Sequence, residues 1–232
     1  MTTPTRQLAL DLPHQPSFAR EDFLLAPGNA EALRVVGAWP NWPSPTLLLI
    51  GPGGSGKSHL GAIWAKASGA RILRGEDLAS AAIPDLAAAP ALLLDGADRI
   101  GRAEAGLFHL LNLMRESGAW ALLTAARAPD LWGLATPDLI SRLRLAPVIA
   151  LGEPDLELMQ AALIKMFSDR QISVDPSVIA FLALRLERSL AAWQKTSPAD
   201  YEPDKVSEID AQLKTLKKRL AQRASPDVVK PQ

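Results

Sequence analysis

The stretch Thr46-Leu47-Leu48-Leu49-Ile50-Gly51-Pro52-Gly53-Gly54-Ser55-Gly56-Lys57-Ser58 decides the fold. Its first part, up to Ile50, is a short apolar run behind Pro45, which predicts a parallel strand buried on both faces. The part from Gly51 matches G-x-x-x-x-G-K-[ST]. Glycines let backbone N–H groups turn inward around phosphates, and the N-terminus of a following helix adds positive dipole. A chance glycine-rich turn needs neither a strand before it nor a helix after it. Both are predicted here, the helix over about 57–68. The expected phosphate cradle is Gly51, Pro52, Gly53, Gly54, Ser55, Gly56, Lys57 and Ser58, with His59 beside it. Lys57 is positioned for the β- and γ-phosphates and Ser58 for Mg²⁺, so ADP or ATP with Mg²⁺ is the expected ligand.

Downstream, strands are predicted at 71–73, at 91–94 running into Asp95, at 120–124 and at 148–151. A helix is predicted over 103–117, where Leu107, Leu110, Leu111 and Met114 recur at helical spacing. Strands alternating with helices predict an α/β fold, a three-layer parallel sheet with helices on both faces. Upstream, Asn29 begins a modest helical pattern that Pro40, Pro43 and Pro45 end. Beyond Gly152 only helical patterns remain, one opened by Pro154-Asp155 and one by Asp175-Pro176. They predict an all-α lid over 153–194, behind a nucleotide-binding core over 18–152. A linker with Pro198 and Pro203 then leads to a charged amphipathic helix over 204–223 and an end expected to be disordered. Residues 1–17 read as an extended tail.

Composition narrows the function. Hydrophobic residues make up 48% and charged residues 22%, and Lys+Arg balance Asp+Glu at 25 each. Zero net charge gives no general attraction to nucleic acid or anionic membrane, so DNA contact is expected only locally or through a partner. There is no cysteine, which removes disulfides and thiolate chemistry, and the three histidines form no metal-spaced group. No signal pattern and no membrane-length apolar run is present, so a cytoplasmic location is expected.

Asp95, at the tip of a buried strand, is expected to hold the Mg²⁺ shell through water, the Walker B role. The next residue is Gly96, where many P-loop ATPases place a carboxylate that orients the attacking water. Asp98 follows Gly96 by only two positions and is expected to point elsewhere, so intrinsic hydrolysis is expected to be weak or absent. Thr124 ends another strand and can either sense the γ-phosphate or close a turn. Arg142 in Leu139-Ile140-Ser141-Arg142-Leu143 reads by itself as an ordinary surface cation. Arg185 and Arg188 fall on the second lid helix, where either could reach phosphates. Gln7-Leu8-Ala9-Leu10-Asp11-Leu12 offers a Gln and alternating Leu anchors that an apolar groove could take as an extended peptide.

The order of these motifs resembles the AAA+ domain of the bacterial replication initiator DnaA, over about residues 18–194. The P-loop, Asp95, Leu107-Phe108-His109-Leu110-Leu111-Asn112-Leu113-Met114, the strand ending at Thr124 and Leu139–Leu143 carry the resemblance. The hexapeptide from Gln7 is similar to a sliding-clamp-binding motif, and a short DnaA-like chain with that motif resembles the Hda (HdaA) group of DnaA-related regulators. The resemblance implies binding to the DNA polymerase III sliding clamp through Gln7, Leu8, Leu10 and Leu12. It further implies contact with DnaA and stimulated hydrolysis of DnaA-bound ATP, which is negative regulation of replication initiation. Arg142 then matches an arginine finger acting in trans, and Thr124 the first sensor. Arg185, or Arg188 in the alternative register, matches the lid arginine that senses nucleotide. A homodimer or AAA+ oligomer is compatible with it. The helix over 204–223 has no counterpart in the resemblance. The competing expectation is an active AAA+ ATPase of helicase-loader type, which would need a catalytic carboxylate after Asp95.

Overall fold

Strand β1 (Thr46–Ile50) lies between two partners in a five-stranded parallel sheet, and Leu47, Leu48 and Leu49 have no exposed surface. Each such leucine contributes roughly 2 kcal/mol of transfer free energy. The computed structural model describes residues 18–169 and 174–185. Gln7, Leu8, Leu10, Leu12, Arg188 and the helix expected over 204–223 lie outside the described residues.

The chain enters through α1 (Pro27–Gly37) and β1, then passes α2 (Lys57–Ser68), β2 (Arg71–Arg74), α3 (Ile83–Ala87) and β3 (Ala91–Asp95). It continues through α4 (Glu104–Ser117), β4 (Trp120–Ala125), α5 (Pro137–Leu145) and β5 (Val148–Ala150). The strand order is β2-β3-β4-β1-β5. β4 pairs with β1 in the register Leu49↔Thr124 and with β3 in the register Leu94↔Leu123. The tips of β1, β3 and β4 therefore lie side by side. The expected α/β sheet with helices on both faces is the architecture observed.

Two apolar layers cover the sheet. On one face Leu107, Leu110, Leu111 and Met114 of α4 pack with Leu86, Leu139 and Leu143. On the other, Leu60 and Trp64 of α2 pack with Val36 and Trp42. Trp42 stacks on Trp64 with centroids 5.1 Å apart, and its Nε1–H donates to Val35 O at 2.9 Å.

α1 begins at Pro27, ahead of the expected Asn29. Proline presets φ for the first helical turn. Asn29 belongs to the cap instead: its Oδ1 accepts the Ala26 N–H at 2.8 Å, and its Nδ2–H donates to Leu24 O at 2.8 Å. Neither α3 nor α5 was expected from periodicity, because each is too short to display a repeating apolar face. Glu104, at the start of α4, accepts the N–H groups of Ala135 and Thr136, and these bonds hold its carboxyl below the usual carboxylate range. They fix the approach to α5.

Beyond the sheet, α6 (Leu156–Asp169) and α7 (Pro176–Arg185) pack through Met159, Leu163, Ile179 and Leu182. Asp175 Oδ1 accepts the Ser177 N–H at 2.8 Å, the expected N-cap. Lys165 pairs with Asp22 at 2.8 Å, which ties α6 to the segment ahead of α1.

Gly75, which follows β2, packs directly on the backbone of Gly96. A Cβ on Gly75 would lie 2.0 Å from Gly96 O, whereas one on Gly37 would meet nothing within 4 Å. Gly75→Ala should therefore destabilise the chain by about 1–3 kcal/mol through overpacking. Gly37→Ala should be neutral or stabilising by a few tenths to about 1 kcal/mol. Urea unfolding of the two variants measures the contrast.

Candidate functional site

The loop between β1 and α2 closes tightly on its neighbours. A Cβ at Gly51 would come within 2.5 Å of Leu151 O, and Gly56 turns the chain into α2 with φ +95°. Gly51 N–H donates to Ala125 O at 3.1 Å, which fastens the loop to the tip of β4. Lys57, first residue of α2, spans the loop: its Nζ donates to Gly51 O at 2.7 Å and to Pro52 O at 2.6 Å. Ser55 Oγ lies 3.4 Å from the same ammonium.

Ser58 and Asp95 meet across the sheet edge. The Ser58 hydroxyl is 3.0 Å from both Asp95 carboxylate oxygens. Thr124 completes the cluster by donating to Asp95 Oδ1 at 2.5 Å, while its own oxygen accepts the Gly96 N–H at 2.8 Å. Thr124 is 1% exposed, so these bonds are made away from bulk water. The sequence placed Asp95 and Thr124 on separate strands and Ser58 at the start of a helix; the strand order brings the first two together.

A phosphate chain fits this arrangement. A glycine loop, a helix N-terminus and an ammonium converge on one point. Mg²⁺ fits the donor set too, since it takes hard oxygen ligands, one or two from protein and the rest from phosphate and water. Ser58 and Asp95 supply that protein share. No group of three or more His, Cys, Asp or Glu exists among the described residues, so a metal held entirely by protein is not built there.

Three further observations extend the sequence picture. His59 Nε2 lies 3.0 Å from Ala19 O, and its ring meets Phe18 and Phe23 edge-on at 5.5 and 5.3 Å. The His59 ring thus anchors the entering segment against α2. Arg142 lies with its guanidinium 5.3 Å from the Phe108 ring centroid, in a cleft of about 390 Å³ that Thr46, Phe108, Asp138 and Ser141 also line. Thr46 begins β1, so this cleft is at the sheet end opposite the P-loop. Arg185 ends α7 within the described residues; the placement of its side chain, like Arg188, lies outside them.

Asp98 corrects the expectation that it points elsewhere. Gly96 takes φ +75°, and the turn over Ala97–Arg99 folds back with Arg99 N–H donating to Gly96 O at 2.9 Å. That reversal brings Asp98 Oδ2 to the Ala126 N–H at 3.0 Å, at the end of β4. Burial holds the Lys57 ammonium below the usual lysine range; Asp98, then Asp95, oppose that lowering, and Arg99 adds to it. The Asp-Gly pair in Asp95-Gly96 was the available signal, because it marks a sharp turn after a strand.

No protein-family model matches this sequence, and no curated protein matches it. Solved structures do. A replication initiator DnaA bound to AMPPCP and single-stranded DNA superposes with TM-score 0.62 at 22% identity, over 88% of this chain and 65% of that one. Domain III of DnaA from Thermotoga maritima gives 0.59 at 21%, over 74% of this chain and 82% of that one. This chain shares the fold of these DnaA structures. The Walker-type ATPase paby2304 of Pyrococcus abyssi also matches, with TM-score 0.59 at 14% identity over 91% of this chain and 79% of that one. The shared architecture therefore reaches beyond initiators. The chain spans just under two thirds of the nucleotide- and DNA-bound DnaA structure.

The buried Thr124 hydroxyl is the bond on which the cluster turns. Thr124→Val would leave the Gly96 N–H without its acceptor and Asp95 without one of its two donors, at a cost of about 1–3 kcal/mol. Thr124→Ser should restore most of it. Chemical denaturation gives the stability, and titration with a fluorescent ADP analogue in Mg²⁺ should show weaker binding for Val alone.

Proposed function

We propose that this chain is a nucleotide-bound, DnaA-related AAA+ regulator of Hda type. On this reading it tethers to the sliding clamp of DNA polymerase III and stimulates hydrolysis of the ATP bound to DnaA, a negative regulation of replication initiation. Gly51 to Ser58 hold ADP or ATP, with Ser58 and Asp95 serving Mg²⁺, and the tail residues Gln7, Leu8, Leu10 and Leu12 engage the clamp.

The position of Arg142 carries the proposal. β1 runs from Thr46, in the Arg142 cleft, to Ile50, at the P-loop. At about 3.3 Å per residue that is a separation of about 13 Å. Arg142 thus lies at the sheet end opposite the phosphate site of its own chain, where a partner would meet it. Leu145, which lines the same cleft and is 84% exposed, suits a protein partner there. A guanidinium brought to another chain's γ-phosphate stabilises the charge that develops in phosphoryl transfer. The fold shared with DnaA gives that partner a similar shape to meet. DNA would be reached through the clamp, in keeping with a net charge of zero.

An arginine finger is worth on the order of a thousandfold or more in rate. With clamp loaded on DNA, Arg142→Ala should return DnaA's ATP hydrolysis to its unassisted rate while the variant's own nucleotide affinity stays unchanged. Stimulation equal to wild type would remove Arg142 from the reaction. Separately, Gln7→Ala with Leu8→Ala should abolish clamp pull-down and leave folding intact. Retained clamp binding would remove the tether.

A further inference from the structure

We propose that Asp98 positions the attacking water at this chain's own P-loop, in the role that Gly96 leaves open, and so supports a slow hydrolysis of bound ATP. The inference goes beyond action on a partner, and rests only on Gly51–Ser58 being a nucleotide site.

Three tips of the sheet define where a terminal phosphate can sit. β4 lies between β3 and β1, Ala125 O accepts the Gly51 N–H at 3.1 Å, and Ala126 follows directly. The β4 tip therefore borders the P-loop, and Ala125 and Ala126, the two residues after Thr124, carry no polar side chain. Asp98 supplies the missing polar group from the neighbouring turn. Its Oδ2 accepts the Ala126 N–H at 3.0 Å, which leaves the other carboxylate oxygen free of that bond. The carboxylate is half-buried, and among the charges acting on Lys57 it is the strongest, ahead of Asp95. Asp98 is thus bonded to the residue next to the one that fastens the P-loop, which brings its carboxylate to the border of that loop, where a water beside a bound phosphate would lie.

The position that ordinarily carries such a carboxylate is held by a glycine with φ +75° in this chain, a backbone conformation that L side chains rarely adopt. A Cβ on Gly96 would lie 2.4 Å from Arg99 Nη2 and 2.5 Å from Arg99 Nε. The Arg99 guanidinium lies over Gly96, and its Nη1 is 3.9 Å from Glu76 Oε2. A guanidinium cannot accept a proton. Asp95 is engaged by Ser58 and Thr124. Asp98 is the remaining carboxylate acting on Lys57.

In the step itself, a lone pair of the water oxygen forms a bond to the γ-phosphorus. The bond from that phosphorus to the β–γ bridging oxygen breaks, and its electron pair stays on ADP. Asp98 accepts a hydrogen bond from the water, takes the proton as the new bond forms, and passes it to the released phosphate. No oxidant or further reactant is needed.

The test is single-turnover hydrolysis of γ-labelled ATP bound to the full chain with Mg²⁺, followed over hours, with bound label measured at time zero. Wild type should convert its bound ATP to ADP. Asp98→Asn keeps an acceptor for the Ala126 N–H but loses the base, and should slow conversion by at least about a hundredfold at unchanged ATP affinity. Asp98→Ser is the second variant, with the same expected loss. Asp98→Glu should recover part of the rate, which a purely structural hydrogen bond would not explain. ATP that is bound but uncut by wild type, or a wild-type rate in Asn or Ser, overturns the role of Asp98. No bound ATP at time zero overturns the nucleotide site and this inference with it, and is thereby told apart from the other failures.

Discussion

The pairing of β4 with β1 is the constraint on which the rest of the structure depends. It inserts the later strand between the P-loop strand and β3, and so sets Thr124 against Asp95 and the Gly96 N–H. Thr124 holds Asp95, Asp95 meets Ser58, and Ser58 follows Lys57 in the first turn of α2. A parallel sheet buried on both faces makes this possible. A one-residue slip of β4 against β3 would carry Thr124 about 3.3 Å along the sheet and away from Asp95. Rigid strands then present short polar side chains at their tips within a few tenths of an ångström of bonding distance.

Charge at those tips is more crowded than the motif alone implies. Lys57 and Arg99 bring two positive groups, Asp95 and Asp98 two negative ones, within a partly buried region. Burial disfavours the Lys57 ammonium, and the carboxylates offset that only in part. A polyphosphate arriving with Mg²⁺ adds charges of both signs to an already ordered array. Such preorganised groups need little rearrangement on binding.

The two ends of the sheet are chemically distinct. The P-loop end is polar, glycine-rich and closed over by the segment that His59, Phe18 and Phe23 hold down. The opposite end carries Arg142 over Phe108, with exposed Leu145 lining the same cleft. One strand length separates them. A module built this way can hold a nucleotide at one end and meet a neighbour with the other, without either surface competing for the same residues.

The sequence by itself determined the P-loop, the strand that leads into it, the helix that follows, and Asp95 as a strand-end carboxylate. These are local: each depends on a run of residues whose apolar pattern, glycines or caps act within a few positions. It also carried the likeness to the DnaA AAA+ domain, which the superposed folds bear out. The tertiary structure decided what pattern could not. Strand order joined Thr124 to Asp95, although 28 residues lie between them in the chain. The left-handed turn at Gly96 swung Asp98 back to Ala126, against the expectation from its spacing. The short α5 set Arg142 at the end of the sheet away from Lys57. Such placements arise from crossover connections and from turns that reverse the chain, and their geometry is fixed by packing between elements distant in sequence.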